Sequence, residues 1–242
     1  MKILIVATSA NKMTPSNDPT GIWLEELTTP VYAFRDAGCE VTISSIMGGK
    51  IPVDGHSLKS SGHNEASVER YMRDTAFQIE VAETPKFSDI DPASYDALFL
   101  PGGHGTMYDY PTNEGLARLV EQFDRDEKIV AAVCHGPAGL VLAKKADGTP
   151  FVAGRRMAGF TDSEERLAGL EKAVPFLLES RLRGLGAQYE SGPDNLPFAL
   201  RDGHLITGQN PASATKVAEL MLEAFKAETA PNFMPEKTAN RM

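Results

Sequence analysis

The chain has 242 residues, 42% of them hydrophobic, and a formal net charge of −9 at neutral pH. That size and composition fit one α/β domain carrying an insertion, with enough apolar side chains for a full core. The acidic balance excludes nucleic acid or an anionic membrane as the main partner, and no stretch is long and apolar enough to span a bilayer.

The first residues form a β-branched apolar run, 2–7, that reads as a buried strand. Nothing there has the longer apolar core and cleavage site of a signal peptide, so a cytoplasmic protein is expected. A loop, 8–20, leads to a helix over 24–37 and a strand over 40–46. Residues 48–95 are too long for an ordinary connection and carry an amphipathic piece at 65–77, which predicts a small cap or flap. A strand at 97–100, a helix at 114–125 and a strand at 129–134 follow. Helix 138–144, strand 156–160, helix 164–185, strand 204–207 and helix 212–227 complete the domain, 1–227, before a polar tail at 228–242. This alternation predicts a mostly parallel sheet flanked by helices on both faces. Ligands on such sheets bind outside the carboxyl ends of the strands. The loops 8–20 and 101–111 and the turn at Cys134 all lie at that edge.

Cys134 and Cys39 are the only cysteines, which makes neither a disulfide framework nor a cysteine-based zinc site. Cys39 sits in a helix-to-strand turn and reads as structural. Cys134 ends the run Ile129-Val130-Ala131-Ala132-Val133 and is followed by His135-Gly136-Pro137. A thiol at such a strand–turn–helix junction faces a helix N-terminus that favours a thiolate. The competing reading is a small core hydrophobe.

Pro101-Gly102-Gly103-His104-Gly105 allows backbone N–H groups to approach an oxyanion, or is an ordinary glycine turn. It lacks the lysine and hydroxyl residue of a phosphate loop. Glu25 and Glu26 read first as acids favoured by the dipole of the helix they open; on an inward face near a thiol, a carboxyl there would have a raised pKa and could carry a proton. Asp162, Glu164 and Glu165 offer three acids at the same sheet edge, any of which could orient His135 or cap the following helix. Asn210-Pro211 reads as a helix start.

Together these segments resemble the ThiJ/PfpI superfamily, whose fold is similar to class I glutamine amidotransferase domains and flavodoxin-like. The match runs from about Lys2 to Phe225. It is most specific at Ala131-Ala132-Val133-Cys134-His135-Gly136-Pro137 and at Gly103-His104-Gly105-Thr106-Met107-Tyr108-Asp109-Tyr110-Pro111, the latter resembling the stress chaperone and glyoxalase III branch. The resemblance implies Cys134 as nucleophile, His135 as base, Glu165 as its orienting acid (chosen over Glu164 by counting from Gly159) and Glu26 as a buried carboxyl beside the thiol. It implies Gly103 and His104 as the oxyanion and substrate-binding loop, with the His135 N–H as a second donor. The His-x-Glu pair of glutamine amidotransferases is absent, since His204 is followed by Leu205-Ile206.

The activity implied is cofactor-independent, glyoxalase III-like conversion of methylglyoxal or a related 2-oxoaldehyde to a 2-hydroxy acid. A holdase-type chaperone and a cysteine redox sensor are the alternatives. No metal, no nucleic acid and no membrane are expected as partners, and a homodimer is expected by analogy.

Overall fold

The computed structural model describes residues 1–60 and 62–229. In chain order the elements are β1 (Lys2–Ala7), α1 (Leu24–Asp36), β2 (Glu40–Ser45), α2 (Ala66–Tyr71), α3 (Thr75–Ala82), β3 (Ala97–Leu100), α4 (Thr106–Asp109), α5 (Glu114–Arg125) and β4 (Ile129–Val133). They continue with β5 (Arg156–Met157), α6 (Asp162–Leu167), α7 (Leu178–Gly184), β6 (Gln188–Tyr189), β7 (Ala199–Asp202), β8 (Leu205–Gly208) and α8 (Ala214–Thr229).

The sheet runs β2-β1-β3-β4-β8-β7, parallel throughout except for the antiparallel edge pair β7–β8. Its central strands are apolar on both faces because helices cover both. Leu4, Val6, Leu98, Leu100, Val130 and Ala132 pack with α5 residues such as Leu116 and Phe123. Ile3, Ile5, Phe99, Ala131 and Val133 pack with Leu27 and Val31 of α1 and Val217 and Met221 of α8. The period-2 alternation of side chains thus sorts each strand between two cores.

Several local expectations differ from what is observed. The helix expected over 164–185 is two, α6 and α7, because Gly169 adopts φ +71° and Pro175 lies in the intervening segment. Residues expected as helix 138–144 begin instead as a short 3-10 turn, Gly136–Leu140. The strand expected over 156–160 shrinks to β5, which leaves the main sheet to pair with β6. The edge strand β7 was not anticipated. The polar tail, expected from 228, lies outside the described residues from 230 onward.

Candidate active site

Three loops converge at the carboxyl edge of β3, β4 and β8. The turn after β4 places Cys134 at φ +58°, a left-handed conformation uncommon for a residue with a side chain. It is held from both sides: Cys134 N–H donates to Gly208 O at 2.9 Å, and Phe160 N–H donates to Cys134 O at 2.8 Å. The loop after β3 closes on it tightly. A Cβ on Gly102 would lie 2.6 Å from Val133 O and 2.7 Å from a Glu26 carboxyl oxygen, so only glycine fits there. Gly103 adopts φ +107°, and a side chain on it would strike the backbone of Gly21 and Trp23.

Cys134, His135 and Glu165 form one hydrogen-bonded line. Cys134 Sγ lies 3.3 Å from His135 Nδ1, and His135 Nε2 lies 2.7 Å from Glu165 Oε2. All three side chains are buried. Of the acids left open by the spacing, Asp162 turns outward to accept from Ser180 N–H at 3.2 Å and from its hydroxyl at 2.5 Å. Glu164 turns away from His135 and accepts from Thr161 N–H and Oγ1, Asn195 N–H and Asn210 Nδ2. It ties the start of α6 to the loops before β7 and α8. Glu165, the next residue, points the other way.

Burial pushes the Glu165 carboxyl up, but the imidazoles of His135 and His104 outweigh it and hold the group at about 2. An ionised Glu165 accepts on both oxygens, which fixes the His135 proton on Nε2 and leaves Nδ1 as the acceptor facing the thiol. Burial, then the neighbouring His104, lowers the His135 pKa and keeps its ring neutral at rest.

The thiol does not match the expectation of a helix-stabilised thiolate. Only the 3-10 turn follows Cys134, and burial followed by the Glu26 carboxyl raises its pKa well above the ordinary value. The His135 N–H beside the sulfur opposes that shift without reversing it. Cys134 therefore rests as a thiol that must hand its proton to Nδ1 as it attacks.

Glu26, in the first turn of α1, is fully buried. Gly102 N–H donates to its Oε2 at 2.9 Å, while Oε1 meets no other hydrogen-bond partner of good geometry. Burial raises this carboxyl well above its usual range, with Cys134 and the Gly102 N–H acting against that shift. With Oε2 occupied by a donor, the proton belongs on Oε1. Glu25 instead borders a separate polar cavity of about 570 Å³ with His56, Lys59, Asn64 and Glu65.

Gly103, His104, Cys134, His135, Trp23 and Phe160 line a cavity of about 300 Å³. The Gly103 N–H has no acceptor among the described residues, as an oxyanion donor requires. The His104 side chain is engaged otherwise than expected. Its Nε2 lies 2.7 Å from Glu165 Oε1 and its ring lies tilted at 4.2 Å from that of His135, so the acid of the line holds this side chain too. The Phe160 ring lies 4.3 Å from that of His135 and 6.0 Å from that of His104. His104, His135 and Glu165 are the one group among the described residues with metal-ligand donors within 4.8 Å of one another. Each Nε2 already points its proton at the carboxylate, so an ion there would have to displace both protons.

The model of the DJ-1/PfpI family matches residues 20–224. The chain belongs to this family. Within it, the chain is 33% identical to Glyoxalase 3 of Candida albicans, over 93% of this chain and 99% of that protein. It is also 33% identical to the glutathione-independent glyoxalase HSP31 of Saccharomyces cerevisiae, over 93% and 98%. Among solved structures, the Francisella tularensis Rapid Encystment Protein 24 KDa superposes with a TM-score of 0.88 at 34% identity, covering 92% of this chain and 98% of that one. The Candida albicans glyoxalase III structure superposes with a TM-score of 0.82 at 30% identity, covering 93% and 97%.

The family fold accounts for the mostly parallel sheet. Sequence reasoning missed the link from His104 to Glu165 and the loop-tying role of Glu164. A histidine in a glycine loop has no periodicity to betray its partner. Two of the four donors on Glu164 come from Thr161, three residues before it, and the other two from Asn195 and Asn210, far along the chain.

Proposed function

We propose that this protein is a glutathione-independent glyoxalase of the glyoxalase III type, converting methylglyoxal or a related 2-oxoaldehyde to a 2-hydroxy acid. The observation that carries the reading is the buried line Cys134–His135–Glu165 with the protonated Glu26 carboxyl against the same sulfur. The activity named for the relatives supports it. The reaction is an internal redox exchange: the aldehyde carbon is oxidised as the neighbouring ketone carbon is reduced, so proton carriers and one nucleophile are the required parts.

Cys134 loses its proton to His135 Nδ1 and adds to the aldehyde carbon, giving a hemithioacetal. The Gly103 and His135 N–H groups face the oxygen that becomes negative, a contribution of roughly 3–4 kcal/mol for one such donor in other enzymes. Glu26, having given its Oε1 proton to that oxygen, removes the hydrogen from the former aldehyde carbon. Glu26 returns that proton to the adjacent carbon while the hydroxyl proton of the first carbon passes to the former ketone oxygen, which yields the thioester of a 2-hydroxy acid. Water then breaks the C–S bond, releasing the acid and restoring the thiol. Residues 48–95 serve in this reading as the cap, contributing Asp54, His56 and Lys59 to the cavities beside the site. The reading includes a domain over 1–227, a cytoplasmic location and a homodimer, which fractionation and light scattering check.

The test is methylglyoxal consumption with lactate detection, without glutathione, for the wild type beside Cys134→Ala. Turnover by the wild type alone is expected. Equal turnover by Cys134→Ala would overturn the assignment.

A further inference from the structure

One carboxylate serves two imidazoles. Glu165 Oε1 pairs with His104 Nε2 and Oε2 with His135 Nε2, both at 2.7 Å. A carboxylate that only accepts sets the same tautomer in both rings, with the proton on Nε2 and a bare Nδ1. The Nδ1 of His135 faces the thiol. The Nδ1 of His104 has no hydrogen-bond partner among the described residues, and it is not one of their sealed, partnerless polar atoms, which are Glu26 Oε1 and His204 Nδ1. It is therefore an open acceptor in a site where the thiol already has its own base.

His104 also stands between two spaces. It lines both the cavity of about 300 Å³ over Cys134 and a cavity of about 790 Å³ bounded by Met13, Pro19, Trp23 and Leu170.

We propose that His104 is a second general base, acting on the water that hydrolyses the thioester rather than on the thiol. The proposal rests on the glyoxalase reading above. In this step His104 Nδ1 takes a proton from water, and the water oxygen bonds to the thioester carbon. The C–S bond breaks with its electron pair returning to Cys134 sulfur, which takes up the proton of the new carboxylic acid, and His104 passes its proton to the larger cavity as the carboxylate leaves.

The two rings are too close, 4.2 Å between centroids, to be charged together in a buried site. They act in turn, His135 charged during thiol addition and His104 during hydrolysis, with Glu165 balancing whichever is cationic. This division explains why one acid is placed between two histidines when thiol activation needs only one.

His104→Gln tests it, because glutamine keeps an N–H for Glu165 and removes the base. The expected result is a first turnover at close to the wild-type rate, followed by steady-state turnover reduced about a hundredfold. Acid-quenched intact mass should show the variant, and not the wild type, carrying the mass of one methylglyoxal on Cys134. A thioester survives the quench and is removed by neutral hydroxylamine, whereas a hemithioacetal reverts. Wild-type-like steady-state turnover, or equal loss of the first and later turnovers with no trapped adduct, would overturn the proposal. His104→Asn repeats the test should the glutamine variant fail to fold. A wild type inactive on methylglyoxal would overturn the glyoxalase reading itself, and this step with it.

Discussion

Replacing Glu165 with glutamine changes one heavy atom and disturbs three side chains. The carboxylate accepts from both histidines, and the amide offers one accepting oxygen and one donating nitrogen. The ring that meets the new N–H₂ must move its own proton from Nε2 to Nδ1. When that ring is His135, the nitrogen facing Cys134 becomes a donor and can no longer take the thiol proton. Amidation of a triad acid that leaves the wrong tautomer lowers turnover by about 10⁴-fold in another enzyme, and a comparable fall is expected here. The electrostatic scale agrees. Holding this carboxyl at about 2 instead of its usual 4.5 is a preference of about 3 kcal/mol for the ionised form. A carboxyl whose folded value is depressed stabilises the fold above its unfolded value and loses that contribution as pH falls. Urea unfolding should therefore show the wild type losing about 3 kcal/mol more than Glu165→Gln between pH 4.5 and pH 2. Methylglyoxal turnover at neutral pH is the companion assay. Activity of Glu165→Gln within tenfold of wild type would refute the tautomer argument, whatever the urea curves show.

Glu26→Gln keeps an acceptor for the Gly102 N–H but cannot carry a proton. Turnover should fall by about 10²–10⁴-fold, and the pH midpoint of iodoacetamide alkylation at Cys134 should move down. An unshifted midpoint would show that Glu26 does not raise the thiol. Glu164→Ala removes the acceptor of donors on the buried Thr161 and Asn210, each worth about 1–3 kcal/mol when unpaired, and of the exposed Asn195 N–H, so the melting temperature should drop. A melting temperature within a few degrees of wild type would contradict the loop-tying role. Asp109 clamps Thr8, Ser9 and Ala10, and burial raises its carboxyl from 3.8 to about 6. A raised acid favours the fold at low pH and loses that contribution as pH rises through about 6. Asp109→Asn should thus gain on the wild type in urea stability between pH 5 and pH 7; parallel curves would dismiss the idea.

The turn at Cys134 was legible because an uninterrupted apolar run that stops at a cysteine and a glycine has few meanings in an α/β chain. The choice between Glu164 and Glu165 was not legible from spacing. Adjacent acids in a first helical turn look alike until their partners are known, and Asn195, Asn210 and His135 lie in other segments. The strands fared well where both faces are buried, as in β1, β3 and β4. They fared less well at 156–160, where pairing with β6 rather than with the main sheet decides the length. The break between α6 and α7 was written in Gly169 and Pro175, but helical spacing of Leu167, Leu170 and Val174 read through it. The His104–Glu165 contact joins two loops whose local sequence carries no trace of the other.

The pairing of β4 with β8 sets an order in time. Val130 to Val133 bond to Leu205 to Gly208, and the Cys134 N–H bonds to Gly208 itself. A chain emerging from the ribosome presents its thiol, then its acid, and only much later the strand that seals them. Until Gly208 has left the exit tunnel, the turn lacks one of its two anchors and cannot hold sulfur, imidazole and carboxylate in line. Half-made copies of this protein are thus the form in which Cys134 is open to every passing electrophile. The finished enzyme admits only what fits its cavity.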